Sequence, residues 1–399
     1  MAMLSLTGGV YLYKDQINNW LYSDRLYISP QDTAFPIQAQ IDNLNEEIGI
    51  SRLHGVLVFD DPTRSTVIEF NDTDKVRSFA WINPYTNEIL GVSARHEMPM
   101  QMIRKFHGEL LLGKVGTKFV ELSAHWAIVL FITGLFMWWP RGQRSLRKAL
   151  QLPKGQGRSW WRETHMFTGF LAAILVLPIL ISGLPWTDVW GGGLSYVQKQ
   201  TGQKAESLRF GGKMPKSQES INPQIAFEDV LRLAEVHGLK APYEMRPPKG
   251  EEGSYWIRTV SKNRSDQNEL VIDQYSGDIL KKIEFNDALV VAKTVSYGIS
   301  FHQGELYGAL HIAQNTLAAI IGVLLSVSGF VAWWKRRPKG ELGVPTTPEM
   351  RIGIVMGLLI AALMLLLPLM GVSLIAALIL DWLIFSRFGW FTAKASQTM

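Results

Sequence analysis

The sequence predicts a membrane α-helical bundle of about six transmembrane helices, built from an internal repeat and carrying two α+β inserts outside the bilayer. Three observations predict it. Hydrophobic residues make up 47% of the 399 positions and gather in runs of about 18 or more, enough to cross roughly 30 Å of hydrocarbon. The stretch Phe106-His107-Gly108-Glu109-Leu110-Leu111-Leu112-Gly113 returns as Phe301-His302-Gln303-Gly304-Glu305-Leu306-Tyr307-Gly308, with 195 positions from His107 to His302, from Gly134 to Gly329 and from Trp138 to Trp333. Basic residues crowd beside the apolar runs, so the net charge of +5 reads as a topology signal and not as a nucleic-acid footprint. The chain has no cysteine, which excludes disulfides, thiolate zinc sites, iron–sulfur clusters and covalently attached haem.

Residues 1–13 are apolar but too short to span, and no basic n-region marks a signal peptide. They read as the second half of a first helix. Residues 14–105 form a first α+β insert, with a short helix over Gln38–Glu47, strand character at 56–59, 66–70 and 77–82, and the turn Asn83-Pro84-Tyr85. The segment 106–139 holds the first Phe-His motif and a span from Lys118 to Trp139. The loop 140–163 follows; from Arg141 to Arg162 it carries seven Lys and Arg and no acid, which places it in the cytoplasm. The next span covers 164–186. A second insert covers 187–300, with a helix at Phe227–Glu235 and strands at 254–260 and 269–272. The second motif and its span occupy 301–334, and 335–349 is again a basic cytoplasmic loop. Residues 350–390 are about twice the roughly 20 residues of one span and read as a helical hairpin turning at Gly371-Val372-Ser373, before a tail at 391–399. The repeat extends into the inserts: Ser78–Leu90 and Asn268–Leu280 share a strand, an Asx-x-Tyr turn and an acid-Ile-Leu strand.

Of the eight histidines, His54, His96 and His237 lie in polar contexts and read as ordinary surface or core residues. His107, His125, His165, His302 and His311 adjoin or enter apolar spans, where an ionisable side chain is costly and functional by default. His107 shares a helical face with Ile103, Leu110 and Leu111. Neutral imidazoles facing inward on different helices of a cysteine-free bundle suit the axial ligation of b-type haem. The pair held at one register, His107 and His302, reads as ligands at the outer end of the helices, and His165 as one at the inner end. His125 and His311 lack repeat partners and are second-choice ligands. The counterpart of Ser182-Gly183 is Thr7-Gly8, so a histidine equivalent to His165 is expected upstream of Met1.

These residues together resemble the PepSY-associated transmembrane proteins of bacteria, a family that includes inner-membrane ferric-siderophore reductases. The resemblance rests on His165 with Thr168-Gly169, Ser182-Gly183-Leu184-Pro185-Trp186, Thr133-Gly134-Leu135 with Trp138-Trp139-Pro140-Arg141, the two Phe-His motifs, and the Tyr275-Ser276-Gly277-Asp278 hairpin of a PepSY-like domain over about 224–285. It covers most of the chain. The departure is the first-helix histidine, which is not present. The resemblance implies two haems b, the outer held by His107 and His302 and the inner by His165 and the absent histidine. It implies a bacterial inner-membrane protein with both inserts in the periplasm, passing electrons to a ferric siderophore, and Fe(II) is held less strongly by hard oxygen ligands than Fe(III). No G-x-G-x-x-G signals a flavin or nicotinamide domain, so the expected donor is a membrane quinol or a separate reductase.

The Trp pairs at 138–139 and 333–334, and Trp186 and Trp190, read as interfacial anchors. Gly191-Gly192-Gly193 reads as a hinge; Glu109 and Glu305 read equally as imidazole partners or interfacial carboxylates; Asp381 and Arg387 read as an interfacial pair. Two other classes compete with the reductase. A siderophore or iron transport component would also use repeated helices. A non-enzymatic PepSY envelope module regulating a peptidase would need no haem and leaves the histidine register unexplained.

Overall fold

The computed structural model describes residues 1–139, 151–154, 156–204, 214–337 and 354–387. The expected tail at 391–399 lies outside the described residues, as do 140–150 and 155 of the basic loop at 140–163 and the loop at 335–349 from 338 onward. The chain divides into two compact units, one of Met1–Leu6, His107–Tyr196 and Leu317–Met399, the other of Thr7–Phe106 and Val197–Thr316.

The second unit is built on eight strands: β1 Arg52–Val58, β2 Thr66–Asn71, β3 Arg77–Ile82, β4 Ile89–Ala94, β5 Tyr243–Arg246, β6 Ser254–Thr259, β7 Glu269–Asp273 and β8 Ile279–Ile283. Burial alternates along β2 and β5, as on a sheet with one buried face, while β6 and β7 are buried along their whole length. All pairings are antiparallel, in the order β4-β3-β2-β1-β5-β6-β7-β8. Each half is a four-strand meander preceded by one helix, Ile37–Glu47 for the first and Phe227–Val236 for the second. The halves match in detail. The register slips between Trp81 and Ile82 in one and between Val271 and Ile272 in the other. The Asn83 side-chain oxygen accepts the Tyr85 N–H at 3.0 Å, and an Asp273 carboxylate oxygen accepts the Tyr275 N–H at 2.8 Å.

The sequence led to the expectation of two inserts; the structure joins them into one sheet. β1 pairs with β5, Val56 opposite Met245, and a single hydrophobic core takes in Ile41, Leu44, Val56, Ile68, Met245, Ile257 and Val230 from both halves. The reason is the edge. Each meander alone would end in a strand with unpaired backbone groups, and pairing β1 with β5 satisfies both at once.

Two carboxylates in this unit make it acid-sensitive. Burial raises the pKa of Glu244, but the charge of Arg258 and hydrogen bonds from Arg258 and Arg246 outweigh it and hold the carboxyl below its ordinary 4.5. Burial acts on Asp273 in the same sense, and N–H groups of Ser276, Tyr275 and Gln218 hold it below 3.8. A carboxyl depressed in the folded state stabilises above its unfolded pKa and loses that contribution as the pH falls through its folded one. The sheet is therefore expected to lose stability progressively below pH 4.5, and Glu244→Gln to flatten that dependence when the tryptophan fluorescence of unfolding is followed at several pH values.

Numbering helices in chain order, α1 is Ala2–Tyr11, α2 Lys14–Leu21, α3 Ser23–Leu26, α4 Ile37–Glu47, α5 Pro99–Glu109, α6 Gly113–Trp138, α7 Gly157–Gly183, α8 Val189–Gln200, α9 Phe227–Val236, α10 Val290–Gln303, α11 Ala309–Arg336, α12 Ile354–Leu366 and α13 Pro368–Asp381; α6, α7, α12 and α13 belong to the first unit, α2 to α4, α9, α10 and most of α5 to the other, and α1, α8 and α11 have residues in both. Three segments among the described residues are long and apolar enough to cross a membrane: Gly113–Trp138, Gly157–Trp186 and Ala309–Arg336. The span expected over 164–186 starts at Gly157, because Trp160 and Trp161 continue its helix. Phe131, Ala172, Val176, Ile321 and Leu325 pack α6, α7 and α11 together.

About six spans were expected; over 350–390 the described residues hold α12 and α13, of 13 and 14 residues, with a π-helical segment Trp382–Arg387 continuing α13. The break comes at Leu367, ahead of Pro368, and not at Gly371-Val372-Ser373. Proline disfavours the helical conformation of the residue before it, and Leu367 sits at φ −124° and ψ 73°. Gly371 lies directly against Met364, so α13 folds back on α12. The glycine run at 191–193 falls inside α8 and is helical, not a hinge.

Candidate functional site

A neutral imidazole has one N–H and one lone pair. An iron ligand must keep the lone pair open, and its N–H is normally fixed by a carbonyl or carboxylate. This count separates His165, His311 and His125.

His165 lies on α7, and its Nδ1 is 3.1 Å from the Leu325 carbonyl oxygen and 3.4 Å from Ser328 Oγ, both on α11. A carbonyl only accepts, so Nδ1 carries the proton and the Nε2 lone pair is open. Gly329 makes this approach possible: a Cβ there would stand 2.9 Å from His165 Cε1 and 3.0 Å from Nδ1. His165 meets both requirements for an axial ligand.

His107, near the end of α5, donates to the Leu4 carbonyl. Burial pushes its pKa below the ordinary value, against the smaller opposing effect of that hydrogen bond. The ring is thereby held neutral and anchored on the Leu4 carbonyl. Its repeat partner His302 lies near the end of α10, in the other unit. The His302 carbonyl accepts from Asn315 Nδ2 at 3.3 Å.

The second-choice pair separates. His311 is fully buried on α11, stacked on Tyr307 at 4.1 Å, and its Nδ1 accepts the Leu306 N–H at 3.0 Å. A backbone N–H only donates, so the Nδ1 lone pair is occupied and Nε2 carries the proton. His311 is thus oriented as a donor at Nε2, which is buried and has no hydrogen-bond partner among the described residues. His125 is fully buried on α6 with neither ring nitrogen hydrogen-bonded among the described residues. Its Nε2 is 3.6 Å from Glu121 Oε1, too long for a hydrogen bond. An orphaned buried imidazole is costly and is the kind of group an added iron would satisfy, so His125 stays.

Sequence reasoning missed Glu121. It is fully buried, and its two oxygens accept the N–H groups of Val189 and Trp190 at 2.9 and 2.8 Å, which places a carboxylate on the N-terminus of α8. The available signal was an acid one turn before a histidine in an apolar run. Leu325, Ser328 and Gly329 were legible only as apolar span and repeat. Glu305, left open between two roles, is engaged by Lys14 at 3.2 Å and Arg264 at 3.7 Å beside a cavity of about 420 Å³. Trp138 stacks on Phe170 at 4.5 Å.

Among the described residues no three of His, Cys, Asp and Glu gather as a metal-ion cage. The donors are single imidazoles, the set that suits axial ligation of a macrocycle-bound metal. A family model described as PepSY-associated TM region matches residues 1–336. No curated protein matches the chain.

Proposed function

We propose, from the premise that this chain belongs to the PepSY-associated TM family, that it is a haem-b oxidoreductase of the bacterial inner membrane. It takes electrons from a membrane quinol or a separate reductase and delivers them to a ferric siderophore or similar Fe(III) chelate in the periplasm, where the sheet unit lies. Iron is released as Fe(II) for uptake. The observation that carries this reading is His165: its Nδ1–H is bound by the Leu325 carbonyl and its Nε2 is open. His107, held by the Leu4 carbonyl, is the second ligand in the same helical unit, and His125 the reserve. His302 enters through the repeat alone.

Bound haem supplies one-electron chemistry between Fe(III) and Fe(II). The chain's part is to hold the imidazoles in one tautomer, to exclude water with the apolar packing of α6, α7 and α11, and to present a polar surface to the iron chelate.

The test uses the full chain in liposomes with a reductant enclosed and an Fe(III) chelate outside. Formation of external Fe(II), followed with a colour-forming Fe(II) chelator, is expected only when the protein is present and haem-loaded. Protein from haem-replete cells that shows no b-type absorption band rules the proposal out.

A further inference from the structure

The sheet has a second face. Val56, Ile68, Met245, Ile257 and Leu270 point to the core; the alternate residues point the other way. On that other face, two clusters flank the central strand β1. Glu69 is shared by Arg77 at 2.7 Å and Arg95 at 3.8 Å. Glu244 is shared by Arg246 at 2.9 Å and Arg258 at 2.6 Å. Gly55 of β1 lies between Glu69 on one side and Arg246 on the other and puts no side chain between those two, while Leu57, on the same face, stands opposite Glu244. Two strand spacings separate the clusters, about 10 Å.

Each cluster holds two guanidinium groups on one carboxylate and is left with a net positive charge. Arg52 and Lys249 add to it: burial first, then the nearby Arg52 and Arg246, lower the pKa of Lys249. Burial first, then Arg77, does the same to Arg95. The arginines are preorganised, since their carboxylates hold them and the Arg246 guanidinium also lies 4.2 Å over the Trp256 ring. They are not sealed off: the side chains of Arg77, Arg95 and Arg246 are about two-fifths exposed, at 42%, 37% and 40%. Arginine in a fixed fork is the residue suited to bidentate recognition of carboxylate.

We propose that this face is the docking surface for an anionic metal chelate, one whose carboxylate or catecholate arms reach both arginine clusters across Gly55. It rests on the reading of the protein as an Fe(III)-chelate reductase and narrows the substrate to the anionic class. Arg77 and Arg95 take one arm and Arg246 the other, while Arg258, buried with its side chain 9% exposed and held on Glu244, adds charge behind it, and the net field raises the encounter rate of an anion and lowers that of a cation.

Binding is measured on the full chain in detergent with redox-inert probes, the anionic Ga(III) citrate complex and a cationic Ga(III) trihydroxamate complex, by titration calorimetry. Gallium makes the result independent of haem, so a colourless protein that still binds the anion overturns the electron-transfer reading and leaves this one standing. The anionic probe is expected to bind roughly tenfold tighter or better at low salt, a gap that closes as salt screens the charges. Arg77→Ser with Arg246→Ser is expected to lower that affinity about tenfold without lowering that for the cationic probe, while Arg77→Lys with Arg246→Lys keeps the charge but not the fork, falls between the two and controls for folding. Equal affinity for both probes, serine variants that bind citrate as before, or affinity only for vesicles of anionic lipid would each overturn the proposal.

Discussion

Gly329→Ala is expected to strip the protein of haem almost as thoroughly as His165→Ala. The first change leaves every candidate ligand in place. It puts a methyl group 2.9 Å from His165 Cε1 and 3.0 Å from Nδ1, inside the range that real side chains avoid, and α7 and α11 are packed too closely there for the ring to stay on the Leu325 carbonyl. Loss of the group that orients a ligating histidine typically weakens metal binding by about 10- to 100-fold. The reduced-minus-oxidised absorption spectrum of full-length protein should lose the bands of that haem in both variants, with helical circular dichroism retained. His311→Ala should leave the spectrum unchanged, because its Nδ1 already accepts the Leu306 N–H. If Gly329→Ala only lowers the thermal midpoint and keeps the wild-type spectrum, the His165 contact is helix packing and not ligand orientation.

Met245→Ala is expected to destabilise both halves of the sheet at once. Met245 is fully buried on β5, opposite Val56 of β1 and Ile257 of β6. Truncating a buried methionine costs roughly 2–5 kcal/mol, and here the cavity opens at the seam of a core drawn from both repeats. Denaturant unfolding followed by tryptophan fluorescence should show one sheet transition moved to lower concentration. Two transitions, with only the one belonging to residues 243–283 displaced, would mean that the halves fold separately.

Much of this fold was legible from local pattern. Alternation found β2, β3, β6 and β7, and the Asx-x-Tyr turn found the matching hairpins. β5 escaped because it has only four residues, Tyr243–Arg246, closed in by Pro242 and Pro247. It is also the strand that joins the halves, and so two inserts were expected where one sheet exists. The hairpin turn was sought at a glycine and lies at Pro368, since the constraint on the residue before proline acts more strongly than glycine's flexibility.

The histidines divide in the same way. Their positions in the apolar runs and the register of His107 and His302 follow from the order of residues alone, because hydrophobic length and repeat spacing are properties of the chain. Family membership follows from it too. What a ring nitrogen faces is not such a property. His165 meets a carbonyl 160 positions away, which leaves its outer nitrogen a lone pair; His311 meets an N–H five positions away, which takes its lone pair. Both are histidines near apolar helix, alike in sequence. Only the folded backbone, by aiming an acceptor at one and a donor at the other, decides which ring nitrogen carries the proton.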